Sequence, residues 1–342
     1  MIMELYKDET GVFAWIDKEF SPEVCTSEEL IYNHMESQSL YMLPVIYQPF
    51  DSTVKWHWSD RGSLYDFLYS VNGEGKKLLD FGPGDGWPSL IVAPFAGEVV
   101  GVDSSEKRVQ TCTENARRMG IKNAKFVSYK SCSGLPFEDN SFDGIMAASS
   151  IEQTPDPKEA LRELYRVLKP GGRIRICYEA LNCYRGGHEK DSWVIDMNEN
   201  SCKLILYNRK IEQEYAIQYG LTIAMVGQDL RERISAYQGA GFDQVFVVLL
   251  EEIKDKVIKA QACRTIHPSG KTWVAWLKEA GFREVIPTHQ GNTVASRLFD
   301  LYTDDDRLSS LEEVDALVKK VVKTVIGLEA PISIDPMITA IK

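Results

Sequence analysis

Three glycines at alternate positions, Gly82, Gly84 and Gly86, follow the apolar run Leu78-Leu79-Asp80-Phe81 and precede Trp87-Pro88. Glycine at that density serves a chain that turns tightly or lets a ligand lie directly on the backbone. Pro88 suits the first turn of a helix, whose unpaired N–H groups face a polar or anionic ligand group. A βα turn without a ligand is the plain alternative. Asp103, at the end of the apolar run Val99-Val100-Gly101-Val102, tells against it. A carboxylate there can accept both hydroxyls of a ribose, a geometry used for adenine nucleosides; it can also cap the helix that starts near Ser104. Loop and carboxylate together favour a nucleoside-containing ligand. The dinucleotide fingerprint G-x-G-x-x-G would put its third glycine at Trp87, where an indole opposes close approach of a pyrophosphate. An NAD-linked oxidoreductase is therefore disfavoured.

Positioning such a loop and carboxylate takes a parallel sheet, and the sequence offers one. Residues 61–180 alternate strands with helices, the pattern of a sheet covered on both faces. Residues 77–81, 98–102, 124–129, 142–147 and 173–178 read as five strands. Leu64 to Tyr69 reads as a short helix. Asp156 caps another, which has Pro157 in its first turn, Leu161, Leu164, Tyr165 and Leu168 at helical spacing, and Pro170-Gly171-Gly172 as its stop. Residues 269–342 resume the pattern: a helix over 270–280 ended by Gly281, a strand over 282–288, helices near 292–302 and 308–327, and a last strand over 337–341. Between them, residues 181–268 read as an insertion. It opens with an antiparallel ribbon (192–197, 202–207, 214–223) and is mostly helical from Asp229 to about Arg264, and its place after a sheet strand suits a lid. Residues 1–60 form an aromatic-rich segment expected to cover the site, with Tyr41, Tyr47, Phe50, Trp56 and Trp58 near its end and Pro44 and Pro49 interrupting any long helix.

The 342-residue chain has 44% hydrophobic and 26% charged residues, ordinary for a globular protein. No apolar run reaches the ~18–20 residues that span a bilayer, and the start carries no signal-peptide pattern. A cytoplasmic protein with no membrane partner is expected. The net charge of −11 argues against nucleic acid as the main partner, since phosphate binding needs clustered Lys and Arg. The seven cysteines (25, 112, 132, 177, 183, 202 and 263) contain no C-x-x-C pair and no metal-ligand spacing. They read as free thiols, and no metal is expected.

At this point the chain resembles the class I S-adenosylmethionine (SAM)-dependent methyltransferases, over roughly residues 60–180 and in part 269–342. Asp80-Phe81-Gly82-Pro83-Gly84-Asp85-Gly86 resembles that family's D/E-x-G-x-G-x-G loop, which holds the amino-acid part of SAM. Asp103, followed by Ser104, corresponds to the acidic residue on the ribose hydroxyls. Leu135-Pro136-Phe137-Glu138-Asp139-Asn140-Ser141-Phe142-Asp143 resembles the family's "LPFPDNSFD", Ile151-Glu152-Gln153-Thr154-Pro155-Asp156-Pro157 its "LEHVPDP", and Leu168-Lys169-Pro170-Gly171-Gly172 its "LKPGG". The resemblance implies a Rossmann-like α/β sandwich, with a mostly parallel seven-stranded sheet, helices on both faces, an N-terminal segment and the inserted lid. The cofactor it implies is SAM, released as S-adenosylhomocysteine (SAH). The implied cofactor residues are Asp80, Phe81, Gly82, Pro83, Gly84, Gly86, Asp103 and Ser104, with Ala148 and Ser149 at the end of the fourth strand. Two departures stand out. Where the family often has an adenine-binding aspartate, this chain has Ser131-Cys132, whose hydroxyl and backbone N–H are the substitutes. Gln153 replaces a frequent histidine. A looser likeness to glycine and sarcosine N-methyltransferases adds Trp58, facing the sulfonium by cation–π attraction, and Arg61, pairing with the SAM carboxylate.

The donor in such chemistry is already activated, so orientation and exclusion of water do most of the work and a dedicated base is optional. His57, Glu152, Glu179, Tyr184 and His188 are the candidate acid–base residues. The expected acceptor is a small molecule, at nitrogen or oxygen rather than carbon or sulfur, and the protein a monomer or homodimer. A protein or RNA methyltransferase, and a non-catalytic protein that kept the fold, are the alternatives.

Overall fold

A computed structural model describes residues 10–31, 50–130, 134–182, 184–237, 239–287, 290–328 and 337–342. The chain forms two compact units, Leu43–Ala180 with Pro268–Lys342, and Met1–Met42 with Leu181–His267.

In the larger unit the apolar runs bracketing the glycine loop become neighbouring strands. Lys77–Phe81 pairs in parallel with Glu98–Asp103 on one side and Phe142–Ala148 on the other, so Phe81 lies opposite both Val102 and Ala147. The full sheet runs Glu284–Pro287, Met337–Ile341, Leu168–Cys177, Phe142–Ala148, Lys77–Phe81, Glu98–Asp103, Ala124–Ser128. Met337–Ile341 is antiparallel to both its neighbours, and the other pairings are parallel. From Lys77–Phe81 the chain steps outward twice, then returns to add Phe142–Ala148 on the opposite side. That reversal is a topological switch point, where open α/β sheets bind ligands beyond the carboxyl ends of their strands.

Alternate residues of each strand enter opposite cores. Leu78, Val99 and Met146 pack with the helices Lys55–Ser70, Ser89–Val92 and Leu311–Gly327, and with Ala295 of Gly291–Asp300. Leu79, Val100 and Ile145 pack with Pro157–Val167 and Gly270–Ala280. The Rossmann-like sandwich and its seven strands are as expected from sequence.

Local signals account for the helix ends. Asp156 accepts from the backbone N–H groups of Lys158 and Glu159 at 3.1 and 3.0 Å, and Ser310 and Glu313 form a capping box. Gly281, at φ +110°, supplies the left-handed residue that ends Gly270–Ala280. Inside this unit Asp66 and Arg175, both fully buried, form a two-pronged ion pair at 2.7 and 2.9 Å. Arg175 also donates to Thr339 Oγ1, and Asp66 accepts from the Gly291 N–H, so the pair links two helices and two strands.

The smaller unit is a five-stranded sheet in the order Glu23–Val24, Val257–Ile266, Tyr215–Ile223, Ser201–Lys210, Lys190–Asn198. Helices Gly11–Phe20, Gly227–Ala236 and Phe242–Glu252 cover one face through Phe13, Ile16, Leu230, Phe246 and Leu249.

Three boundaries differ from the sequence expectation. The segment 1–60 is not one piece: Gly11–Phe20 packs its Val12, Phe13 and Ile16 in the inserted sheet's core, whereas Lys55–Ser70 is a helix of the larger unit. That helix starts nine residues before Leu64, because buried His57 and Trp58 extend its inner face. Within 229–264 the α-helices end at Glu252, and Val257–Ile266 is a strand that pairs with Tyr215–Ile223 along nearly its whole length.

Candidate functional site

The glycine loop leaves the strand Lys77–Phe81 at the switch point. The Gly82 N–H donates to Val102 O at 2.9 Å, and Ser150 Oγ donates to Phe81 O at 2.5 Å. Gly82 has φ +72°, and a Cβ there would lie 2.4 Å from Ser150 Cβ, so no other residue fits. Gly84, at φ +59°, differs: a Cβ would meet nothing closer than Arg108 Nη1 at 4.0 Å. The loop is tightly backed at its first glycine and faces open space at its second. From the helix Glu106–Arg118, Cys112 Sγ donates to Gly84 O at 3.1 Å and Asn115 Nδ2 to Asp85 O at 2.8 Å. Both bonds tether the loop to that helix.

Asp80 lies beneath the loop, fully buried. Its Oδ2 accepts from the Ser89 N–H at 3.0 Å and the Ser89 hydroxyl at 2.6 Å, while its Oδ1 has no partner. Desolvation raises its pKa to about 7 against the pull of the Ser89 bonds, and the charge of Asp103 adds to the rise. Asp103 ends the strand Glu98–Asp103, and its Oδ1 accepts from the Ser105 N–H at 2.9 Å. The cap of the next helix is Ser105, whose side chain accepts from the Arg108 N–H, so Asp103 is not the cap itself. Across the switch point Ala148 ends its strand, and Ser149, at φ +48°, donates its N–H to Cys177 O at 2.7 Å.

Asp80, the loop, Asp103 and the Ala148–Ser149 turn therefore stand together at one edge of the sheet. Ser131 and Cys132 lie outside the described residues. Trp58 and Arg61 have other partners: the fully buried Trp58 indole donates to Ser52 O at 2.9 Å and packs edge-on against Phe299. The Arg61 guanidinium makes a two-pronged pair with Asp315 at 2.7 and 2.6 Å. The carboxylate and sulfonium roles expected of them have no support in this geometry.

Among the acid–base candidates, His57 is buried and its Nδ1 accepts from the Asp51 N–H at 2.8 Å. Glu152 is buried, its Oε1 accepts from the Glu179 N–H at 3.1 Å and its Oε2 has no partner. Desolvation pushes its pKa up to about 8, with the Glu179 charge adding to the rise. Tyr184 sits in a short 3₁₀ turn, and His188 is exposed; both belong to the smaller unit.

Sequence reading missed Ser89, Cys112, Asn115 and Ser150. A signal existed for two of them: Arg108, Cys112, Asn115 and Ala116 recur at helical spacing on the buried side of Glu106–Arg118, three polar residues where an apolar stripe belongs.

Residues 79–176 match a family model described as a methyltransferase domain. A demethylmenaquinone methyltransferase of Clavibacter sepedonicus is 37% identical over 103 residues, 30% of this chain and 41% of that protein. A 27-O-demethylrifamycin SV methyltransferase of Amycolatopsis mediterranei is 34% identical over 103 residues, 30% of this chain and 38% of that protein. The chain thus spans about two fifths of the length of these curated relatives. A solved SAM-dependent methyltransferase of Clostridium acetobutylicum aligns over 86% of this chain and 92% of its own, at 11% identity and a TM-score of 0.46. Among the described residues no helix is long and apolar enough to cross a membrane.

Proposed function

We propose that this protein transfers the methyl group of SAM to a small-molecule acceptor, at nitrogen or oxygen. One observation carries the reading: a buried carboxylate with a stranded oxygen, a glycine loop open at Gly84 and the Asp103 carboxylate meet at the switch point of a methyltransferase domain. The residues fit the cofactor. Asp80 Oδ1 suits an amino group, Gly84 gives the methionine portion room against the backbone, and Asp103 suits the ribose hydroxyls. When bound, SAM supplies a methyl group already activated by its sulfonium. The chain's own contribution is to fix that group in line with the acceptor atom and to keep water out. Glu152, neutral at pH 7, offers a hydroxyl donor or acceptor rather than a charge. The acidic chain and the small-molecule names of the relatives support a small acceptor over protein or RNA.

Calorimetric titration with SAH, alongside Asp103→Ala and an NAD control, tests the cofactor site. Expected is micromolar SAH binding that Asp103→Ala weakens at least about tenfold. NAD binding in place of SAH would overturn the reading of the loop. Release of SAH from labelled SAM with small hydroxy or amino acceptors, and none with bulk RNA or protein, completes the test.

A further inference from the structure

Two of the free thiols stand side by side in the inserted sheet. The short strand Glu23–Val24 pairs in parallel with Val257–Ile266, Glu23 opposite Gln261 and Val24 opposite Ala262. The Cys25 N–H donates to Ala262 O at 3.0 Å and carries the ladder one residue further, which sets Cys25 opposite Cys263. Neighbouring strands run about 4.8 Å apart, inside the Cα separation of about 4.4–6.8 Å that a disulfide spans. Both side chains pack in one cluster with Leu30, Ile31, Ile195 and Ile205. Cys263 is 4% exposed, and Cys25 is half-buried. No other two of the described cysteines occupy paired positions. Cys112 lies on a helix, Cys177 in the larger sheet, and Cys202 on the opposite face of the inserted one.

The junction that this pair flanks is the slightest in either sheet. Glu23–Val24 is held by two paired residues, whereas every other neighbouring pair of described strands shares at least four. Beyond it the chain is fastened by side chains. Lys203 Nζ donates to Leu30 O at 3.0 Å and Glu29 O at 3.4 Å. Leu30 fills the space over Gly220, where a Cβ would lie 2.5 Å from Leu30 Cδ1. A covalent bond at Cys25 would fix this strap where its backbone pairing ends. Burial, then the Glu29 charge, pushes the Cys25 thiol up to about 11 against the pull of Lys203, and burial holds Cys263 at about 12. The thiolate is the nucleophile, and only about one in 10⁴ of Cys25 is thiolate at pH 7. The pair therefore responds slowly, to sustained oxidation.

We propose that Cys25 and Cys263 are a modification site for small-molecule disulfides of the glutathione type, and that the product is a disulfide fastening the N-terminal segment to the inserted sheet. The Cys25 thiolate attacks one sulfur of the small disulfide, whose S–S bond breaks. A mixed disulfide forms, and one small thiol leaves with the proton that Cys25 gave up. The Cys263 sulfur then attacks Cys25 Sγ, and the second small thiol leaves with the Cys263 proton. Two protein thiols are oxidised, and one small disulfide is reduced to two thiols. The second step joins residues already opposed, so the mixed disulfide does not accumulate. The site lies wholly within the smaller unit, and it is independent of the methyl-transfer reading.

The test incubates the full chain with glutathione disulfide at pH 7, 8 and 9, quenches with acid, and maps peptides by mass spectrometry without reduction. Expected is a linked peptide joining Cys25 to Cys263, with two glutathione molecules released per chain and a rate that rises about tenfold per pH unit. The oxidised chain should melt at a higher temperature than the reduced one, a gain that dithiothreitol reverses. Cys263→Ser should stop at a glutathione adduct on Cys25, and Cys25→Ser should leave Cys263 unmodified. Cys263→Ala serves where serine at the buried position lowers the melting temperature of the reduced chain. A glutathione adduct that persists on Cys25 in the wild type, or linkage of either residue to another cysteine, overturns the proposal. So does the absence of reaction at pH 9, or an oxidised chain that melts no higher than the reduced one.

Discussion

Asp80 gives the cofactor site a pH dependence that can be worked out in advance. Its carboxyl is fully buried, and desolvation chiefly raises its pKa from the ordinary 3.8 to about 7. In the proposed cofactor site the ionised form is the one that holds the ammonium of SAH. A group of pKa about 7 is ionised in about one molecule in ten at pH 6 and about nine in ten at pH 8. SAH affinity should therefore rise about tenfold over that interval, and each binding event at pH 6 should release about 0.9 proton. Calorimetry in two buffers of different ionisation heat reads both quantities. Stability carries the opposite sign. The unfolded chain ionises Asp80 above 3.8, whereas the folded chain keeps the proton to about 7, so stability falls through that window and the loss is complete above it. Its upper bound is about 4 kcal/mol. Asp80→Asn keeps an acceptor for the Ser89 N–H and removes the penalty. The variant should be more stable than wild type at pH 8, bind SAH more weakly, and lose the pH slope of affinity. A wild-type affinity flat between pH 6 and 8, or a slope that survives in Asp80→Asn, would refute the reasoning; survival would assign the titration to another group such as Glu152.

Two further substitutions probe the scaffold behind the site. Asn115→Ala removes the 2.8 Å tether from Glu106–Arg118 to the Asp85 carbonyl and should weaken SAH binding about three- to tenfold with only about 1 kcal/mol lost in urea unfolding; an unchanged affinity would show that the loop holds itself. Asp66→Ala strands the Arg175 charge in a fully buried position and should cost about 3–5 kcal/mol in the same assay. The double change Asp66→Leu with Arg175→Met should cost less than the single one, and a larger cost would mean the pair is a net stabiliser.

What the sequence disclosed, and what it hid, follows from the range of each interaction. The glycine loop, the cap at Asp156 and the stop at Gly281 are read within a few residues of sequence, and the cap and the stop stand as expected. The motif set added the mostly parallel, seven-stranded character of the sheet, which periodicity alone does not contain. Trp58 and Arg61 were read from proximity to the first strand, but their partners, Phe299 and Asp315, lie more than 240 residues away. Nothing local to an arginine tells a ligand carboxylate from an aspartate on a distant helix. The same limit placed Gly11–Phe20 with its neighbours in sequence, whereas its apolar stripe completes the core of a sheet whose long strands begin at Lys190.

The polar face of that inserted sheet was the least legible feature, for a more instructive reason. Alternation of Leu204, Leu206 with Lys203, Tyr207 and Arg209, and of Ile217, Tyr219 with Gln218, is the ordinary pattern of a half-buried antiparallel strand. Period-two alternation states that two faces differ; it does not state that the polar one is wet. In this protein both faces are buried, so the polar row must be satisfied by something other than solvent. Lys203 is satisfied from within, by carbonyls of the segment that follows Thr26. The Gln218 side-chain oxygen is not, so the two ends of one sheet face differ in how their polar groups are satisfied.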